Sequence, residues 1–316
     1  MSGKNRKEIR VIQMDYVLKT KDVTKVYGEH KAVHGVSMHV KKGAIYGFIG
    51  KNGAGKTTFM RMVAGLAAPT EGTIELFGSS DLENQRKRMG SLIENPGVYA
   101  NMTARENLEV IRRNFGITNK QAVDDMLAFV GLADTNKKKV KNFSMGMKQR
   151  LGIAISLFCN PDFLILDEPI NGLDPEGIKE IRELLLKLNR EKGITILISS
   201  HILGELSKIA THYGIIRKGV LVEEFEAAEL SDRCRRCQKL IVDNDELAVS
   251  ILEDKLHIDN FDVPKQGVIR VFDNFDMQEQ INRELIIGGV NIKESYLAGQ
   301  DLESYFMDLL GGKEND

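Results

Sequence analysis

Alternating apolar and polar positions open the chain. Val17 to Val23 and Ala32 to Val40 carry alternating or β-branched character around Tyr27-Gly28-Glu29-His30, which predicts an antiparallel strand pair. A strand from Ala44, a glycine-rich loop and a helix from Lys56 follow. Pro69-Thr70-Glu71-Gly72 marks a turn, Thr73 to Phe77 a strand, Leu82 to Arg88 a charged helix start and Gly90 to Glu94 a short buried strand. From Asn95 the period becomes helical, with Leu108, Ile111, Phe115 and then Val123, Met126, Leu127, Val130, predicting an inserted helical lobe over about 95–160. The near-continuous apolar runs Phe163 to Leu166 and Ile194 to Ser199, with a helix over Gly177 to Arg190 between them, are the pattern of parallel strands covered on both faces. An α/β core therefore closes near residue 225. Beyond it strands and helices recur on a smaller scale: strands near Lys239 to Val242, Phe261 to Val263, Val268 to Phe272 and Asn291 to Tyr296, and helices near Leu247 to Leu256, Met277 to Leu285 and from Leu302. The expected organisation is an irregular basic lead over 1–15 that reads as disordered, a nucleotide-binding α/β domain over 16–228 and an accessory α+β domain over 229–316. Met14 opens the strand-like character and is a candidate start.

Composition narrows the function classes. With 316 residues and 42% hydrophobic content, the chain can bury one large and one smaller core. Its apolar runs fall far short of the ~20 residues a membrane-spanning helix needs. No secretory leader pattern is present, and three cysteines cannot build a disulfide framework, so a cytosolic chain is expected. The Cys234-Arg235-Arg236-Cys237 spacing is half a zinc site with no second pair following. Net charge is −1, but from position 231 onward 18 acidic residues face 10 basic ones, an acidic tail that argues against a nucleic-acid partner.

The candidate chemistry begins at Gly50-Lys51-Asn52-Gly53-Ala54-Gly55-Lys56-Thr57-Thr58, which fits G-x-x-x-x-G-K-[ST] at every specified position. Glycines let backbone N–H groups converge on phosphate oxygens, and the helix from Lys56 aims its positive dipole end at the same anion. Lys56 neutralises the β/γ-phosphates and the Thr57 hydroxyl suits Mg²⁺. Gly50, Asn52, Gly53, Ala54, Gly55, Lys56, Thr57 and Thr58 are thus the candidate nucleoside triphosphate site. Phe163-Leu164-Ile165-Leu166 ends in Asp167-Glu168, placing Asp167 to hold Mg²⁺ and Glu168 to polarise an attacking water. His201 follows the next strand and falls at the same sheet edge, within reach of a γ-phosphate.

With these residues and Phe143-Ser144-Met145-Gly146-Met147-Lys148-Gln149-Arg150 in view, residues 16 to 225 resemble the ATP-binding subunit of ABC transporters. The resemblance implies a P-loop ATPase core of mixed sheet, antiparallel β-subdomain and inserted helical lobe, with ATP and Mg²⁺ as cofactors. It also implies a head-to-tail homodimer in which Ser144 and Gly146 of one copy cap the γ-phosphate held by Lys56 of the other. In the same frame Tyr27 stacks on adenine, and Asn171-Gly172-Leu173-Asp174 is the dimer-contact loop, with Asp174 at its end. Two features depart from the family. Phe143, Met145 and Met147 replace the first, third and fifth residues of the usual Leu-Ser-Gly-Gly-Gln, leaving the serine and second glycine. Glu94 stands where most members have a glutamine that contacts Mg²⁺. Together these resemble the bacitracin-resistance and lantibiotic-immunity type. That type implies a separate transmembrane permease, the chain lying on the cytoplasmic face of the membrane, with Val98, Tyr99 and Met102 suited to the permease contact. Two other classes stand beside it: a regulatory binding module that hydrolyses ATP slowly, which Glu94 leaves open, and a soluble ABC ATPase acting on ribosomes or DNA. Such members usually carry two ATP domains or long coiled-coil insertions, and the sequence shows neither.

Overall fold

The computed structural model describes residues 16–234, 236–298 and 302–311. The basic lead and the candidate start at Met14 lie outside the described residues. The chain forms two compact units that divide between Ala227 and Ala228.

In the first unit β1 (Tyr16–Tyr27) turns into β2 (His30–Val36) and then β3 (His39–Lys41), both antiparallel to it. Ala32 to Val40 is therefore two strands and not one. Buried Thr20 sits at the break, its hydroxyl donating to Val36 O at 2.9 Å and accepting from Met38 N–H at 2.8 Å, so a side chain replaces the ladder where β2 gives way to β3. β4 (Ile45–Ile49), buried at all five residues, leads through the glycine loop into α1 (Lys56–Ala64). β5 (Glu71–Leu76) completes the antiparallel sheet against β1. α1 buries Phe59, Met60, Met62 and Val63 in one core with Val17, Leu18 and Val40 of the antiparallel sheet and Tyr46 and Phe48 of β4. Each such side chain contributes about 1.5–3 kcal/mol, which fixes where the first turn of α1 points.

After α2 (Leu82–Arg86) and β6 (Met89–Leu92) the chain enters a helical region of α3 (Ala104–Asn114), α4 (Gln121–Phe129) and α5 (Met145–Leu157). Thr103 and Glu106 close a reciprocal cap at the start of α3, with Glu106 N–H donating to Thr103 Oγ1 and Thr103 N–H to Glu106 Oε2. β7 (Phe163–Leu166) returns to the main sheet, followed by α6 (Pro175–Lys192), β8 (Thr195–Ser200), α7 (Leu203–Leu206), β9 (His212–Arg217) and β10 (Val220–Glu226). The sheet order is β10-β9-β4-β8-β7-β6, parallel except for the antiparallel β9/β10 pair. α6 buries Ile181, Leu184, Leu185 and Leu188, one helical stripe, between an Asp174 cap with Pro175 behind it and a left-handed Gly193. The carboxyl ends of β4, β7 and β8 are neighbours, so this sheet edge gathers the loops that follow them.

The second unit opens within α8 (Ala227–Cys234). Its sheet runs β12-β13-β11-β14, from β11 (Cys237–Val242), β12 (Phe261–Lys265), β13 (Val268–Val271) and β14 (Ile292–Ala298), all antiparallel. α9 (Asp245–Ser250) passes into a π turn over Ile251–Lys255, and α10 (Gln278–Ile287) lies after β13. Leu240, Val242, Leu252, Ile269, Val271, Ile281 and Leu285 fill the core. α11 (Leu302–Gly311) is the last described element.

Candidate functional site

At the carboxyl edge of the main sheet, Gly55 precedes α1 with φ 107° and offers no side-chain cap. The first-turn N–H groups of α1 are thus left for an external acceptor, whereas α3, α5 and α6 have theirs capped by Thr103, Ser144 and Asp174. A Cβ at Gly55 would also lie 2.6 Å from Ala32 O, so no other residue fits there. The loop's carrier strand is pinned from below: buried Tyr46 donates to Glu224 Oε1 at 2.7 Å. Burial and then the Glu224 charge push its phenol well above the usual range, so it stays a donor.

Lys56, 5% exposed, donates to Gly50 O at 2.5 Å and Lys51 O at 3.3 Å, and its Nζ lies 3.1 Å from Glu168 Oε1. The other Glu168 oxygen meets His201 Nδ1 at 2.8 Å. Glu168 has φ 49°, a left-handed conformation that turns the chain sharply at the end of β7. Thr57 Oγ1 donates to Asp167 Oδ2 at 2.7 Å. Ser199, fully buried on β8, donates to Asp167 Oδ1 at 2.6 Å and accepts Glu168 N–H at 2.8 Å. One hydroxyl therefore orients both acids. Sequence reasoning passed over Ser199; its signal is a serine pair ending an apolar strand next to the histidine.

The remaining candidates fall elsewhere. Asn52 and Gly53 are exposed on the loop, Ala54 is buried and Thr58 half-buried. Tyr27 ends β1 at 48% exposure, with Lys25 Nζ 5.0 Å from its ring centre. The Glu94 carboxylate pairs with Arg61 Nη2 at 2.7 Å, one turn beyond Thr57 on α1, and Glu94 has φ 63°. Ser144 caps α5, its hydroxyl accepting Met147 N–H at 3.2 Å and keeping its own proton to donate. Asp174 caps α6 through Gly177 N–H at 3.2 Å. A Cβ on Gly146 would meet only Gly177 Cα at 3.8 Å and Leu173 at 4.0 Å, so packing within the chain does not demand glycine there. Ser144, Gly146 and Asp174 form a second group around the starts of α5 and α6; among the described residues no hydrogen bond joins them to Lys56 or Asp167.

A phosphate loop on β4, with the acids of β7 and a histidine after β8 at the same edge, defines a P-loop nucleoside triphosphatase. The ABC transporter family profile matches residues 33–171. The chain is 45% identical to the bacitracin transport ATP-binding protein BcrA of Bacillus licheniformis over 302 residues, 95% of this chain and 99% of the relative, a span that runs through both units. It is 43% identical to the lantibiotic transport ATP-binding protein SrtF of Streptococcus pyogenes, over 67% of this chain and 93% of the relative. Among solved structures it matches the ADP conformation of the ABC cassette MJ1267 (26% identity, TM-score 0.62, 68% of this chain and 92% of that one). It also matches the dimeric MJ0796 cassette bound to ADP and Pi (26% identity, TM-score 0.60, 66% and 98%). The chain belongs to the ABC transporter ATP-binding family and is an ATP-hydrolysing transporter subunit. Among the described residues no helix is long and apolar enough to cross a membrane.

Proposed function

We propose that this chain powers a separate transmembrane permease that exports an antimicrobial peptide of the bacitracin or lantibiotic class, working from the cytoplasmic face. The substrate class follows the activities of its relatives, above all the match to BcrA through both units. The alternative of a ribosome- or DNA-acting ATPase finds no support among them.

The observation that carries the catalytic reading is the bond set joining Thr57, Asp167, Ser199, Glu168, His201 and Lys56. ATP phosphates enter the loop from Gly50 to Thr58, where the uncapped start of α1 and Lys56 meet their charge. The Thr57 hydroxyl and Asp167 carboxylate are hard oxygen donors that fit Mg²⁺, and Glu94 adds a third ligand, the second carboxylate, if it leaves Arg61. When bound, that ion neutralises charge on the β- and γ-phosphates. Glu168 takes a proton from the attacking water, held in place by Ser199 through its backbone and by His201 through Oε2. His201 then contacts the γ-phosphate, and Tyr27 stacks on the base.

Ser144 and Gly146 stand apart from this set, so a second copy placed head to tail supplies them to the γ-phosphate, and the Asn171 to Asp174 loop lines that seam. Closure of the pair is the mechanical step. Tyr99 is 54% exposed beside half-buried Val98 and Met102, which suits the permease contact. The test is ATP turnover of the chain and peptide protection of cells that carry it together with a candidate membrane permease. Glu168→Gln is expected to abolish both, and protection that survives without turnover refutes transport driven by this site.

A further inference from the structure

We propose that Asn107 is the positioning residue of a strap that ties the loop after Glu94 to the segment carrying Ser144. This rests on the role given to Ser144 above. Asn107 sits in the first turns of α3 and is 2% exposed. Its Oδ1 accepts Tyr99 N–H at 2.7 Å, and its Nδ2 donates to Tyr99 O at 3.2 Å and to Thr103 O at 2.8 Å. Both backbone groups of Tyr99 are thereby held by one buried amide, much as a neighbouring strand would hold them. The ring of Tyr99 is left facing outward.

The same loop continues the bonding. Ala100 O accepts Lys141 N–H at 2.8 Å, Met102 O accepts Val140 N–H at 2.9 Å, and Thr103 bridges to Lys139. Those donors lie in the short turn Val140–Asn142, which passes through buried Phe143 directly into the Ser144 cap of α5. A push on Tyr99 is therefore applied, through two backbone bonds, three residues from Ser144. None of these bonds involves the phosphate loop, so the strap can move Ser144 while leaving Lys56 as it is. Buried and bonded to three backbone groups, Asn107 makes this path stiff, and it is the side chain that holds both backbone groups of Tyr99 at the loop's end of the strap.

The test uses Asn107→Leu, similar in size but without the three bonds. Native-state hydrogen exchange, read without nucleotide, is expected to show the amides of Tyr99, Val140 and Lys141 losing protection together by about tenfold or more. Turnover falls about tenfold while nucleotide affinity stays within about twofold. Faster exchange at Tyr99 alone, with Val140, Lys141 and turnover as in the wild type, overturns the strap and leaves Asn107 a local brace. Should Asn107→Leu fail to fold, Val140→Pro probes the other end. Lys139 has φ −75° and ψ 146°, which suits a following proline, and the substitution opens a turn while deleting the bond to Met102. Loss of protection reaching Tyr99 supports the strap, and unchanged protection there overturns it. Failure of wild-type ATP-dependent dimerisation would instead remove the role of Ser144, which the nucleotide-free exchange does not report.

Discussion

In the first unit β4, β7 and β8 are buried at every residue, whereas in the second β14 has only half-buried and exposed positions. The main sheet of the first unit is largely parallel, so its carboxyl ends collect on one edge, and the polar groups there are buried yet partnered, Ser199 with Asp167 and Lys56 with Glu168. The second sheet is wholly antiparallel, and its ends scatter to both edges. Its buried polar residue, Gln238, donates to Asn282 and Ser295 beside the core rather than at a shared edge. Chemistry follows strand direction: a parallel sheet concentrates donors and acids that an antiparallel one disperses.

Substitutions in either unit can break this contrast. Glu168→Gln is expected to lower turnover by about a thousandfold with nucleotide affinity nearly unchanged, measured by steady-state hydrolysis and binding titration; robust turnover removes Glu168 as the base. Leu240→Ala, in the second core, is expected to cost about 3 kcal/mol in the unfolding of that unit, followed by denaturant titration, without altering nucleotide affinity. A matching loss of affinity would show that the units do not divide the work. Lys56→Ala should weaken ATP binding by roughly a hundredfold, since a buried cation and its bonds are removed. Ser199→Ala should lower turnover by about tenfold while leaving binding intact, because it frees Asp167 and the Glu168 backbone together.

The smallest expected effect is at acid pH. Bonds first from Arg112 and then from Arg113 hold Glu109 on α3 down to about 2 from 4.5. A carboxyl lowered on folding stabilises fully above its unfolded value, and that contribution is lost as pH falls from about 4.5 toward about 2. Glu109→Gln should flatten that part of the stability profile slightly, and an unchanged profile removes the pair from the acid response.

Much of the first unit was legible in the sequence because its strands are continuous apolar runs. Phe163 to Leu166 carries its own boundaries, and the phosphate loop is a local motif whose flanking strand and helix are required by its chemistry. What escaped depends on distance. β9 and β10 went unassigned because Tyr213 to Ile216 is short and β10 mixes Val222 with Glu223 and Glu224; the Lys218-Gly219 turn, with φ 48° and 82°, was the available hairpin signal. The split of Ala32 to Val40 depends on Thr20, far away in sequence, and Glu94, in the loop after β6, finds its partner Arg61 on α1. Asn107 reads as an ordinary polar residue early in a helix until its three backbone partners are placed around it.

The central claim is that one chain holds two halves of a site that only a second copy completes. Sedimentation of the Glu168→Gln chain tests it most directly. The expected result is a dimer with ATP, a monomer with ADP, and a monomer with ATP when Ser144→Arg is added. A monomer with ATP, or a dimer indifferent to nucleotide and to Ser144, contradicts it.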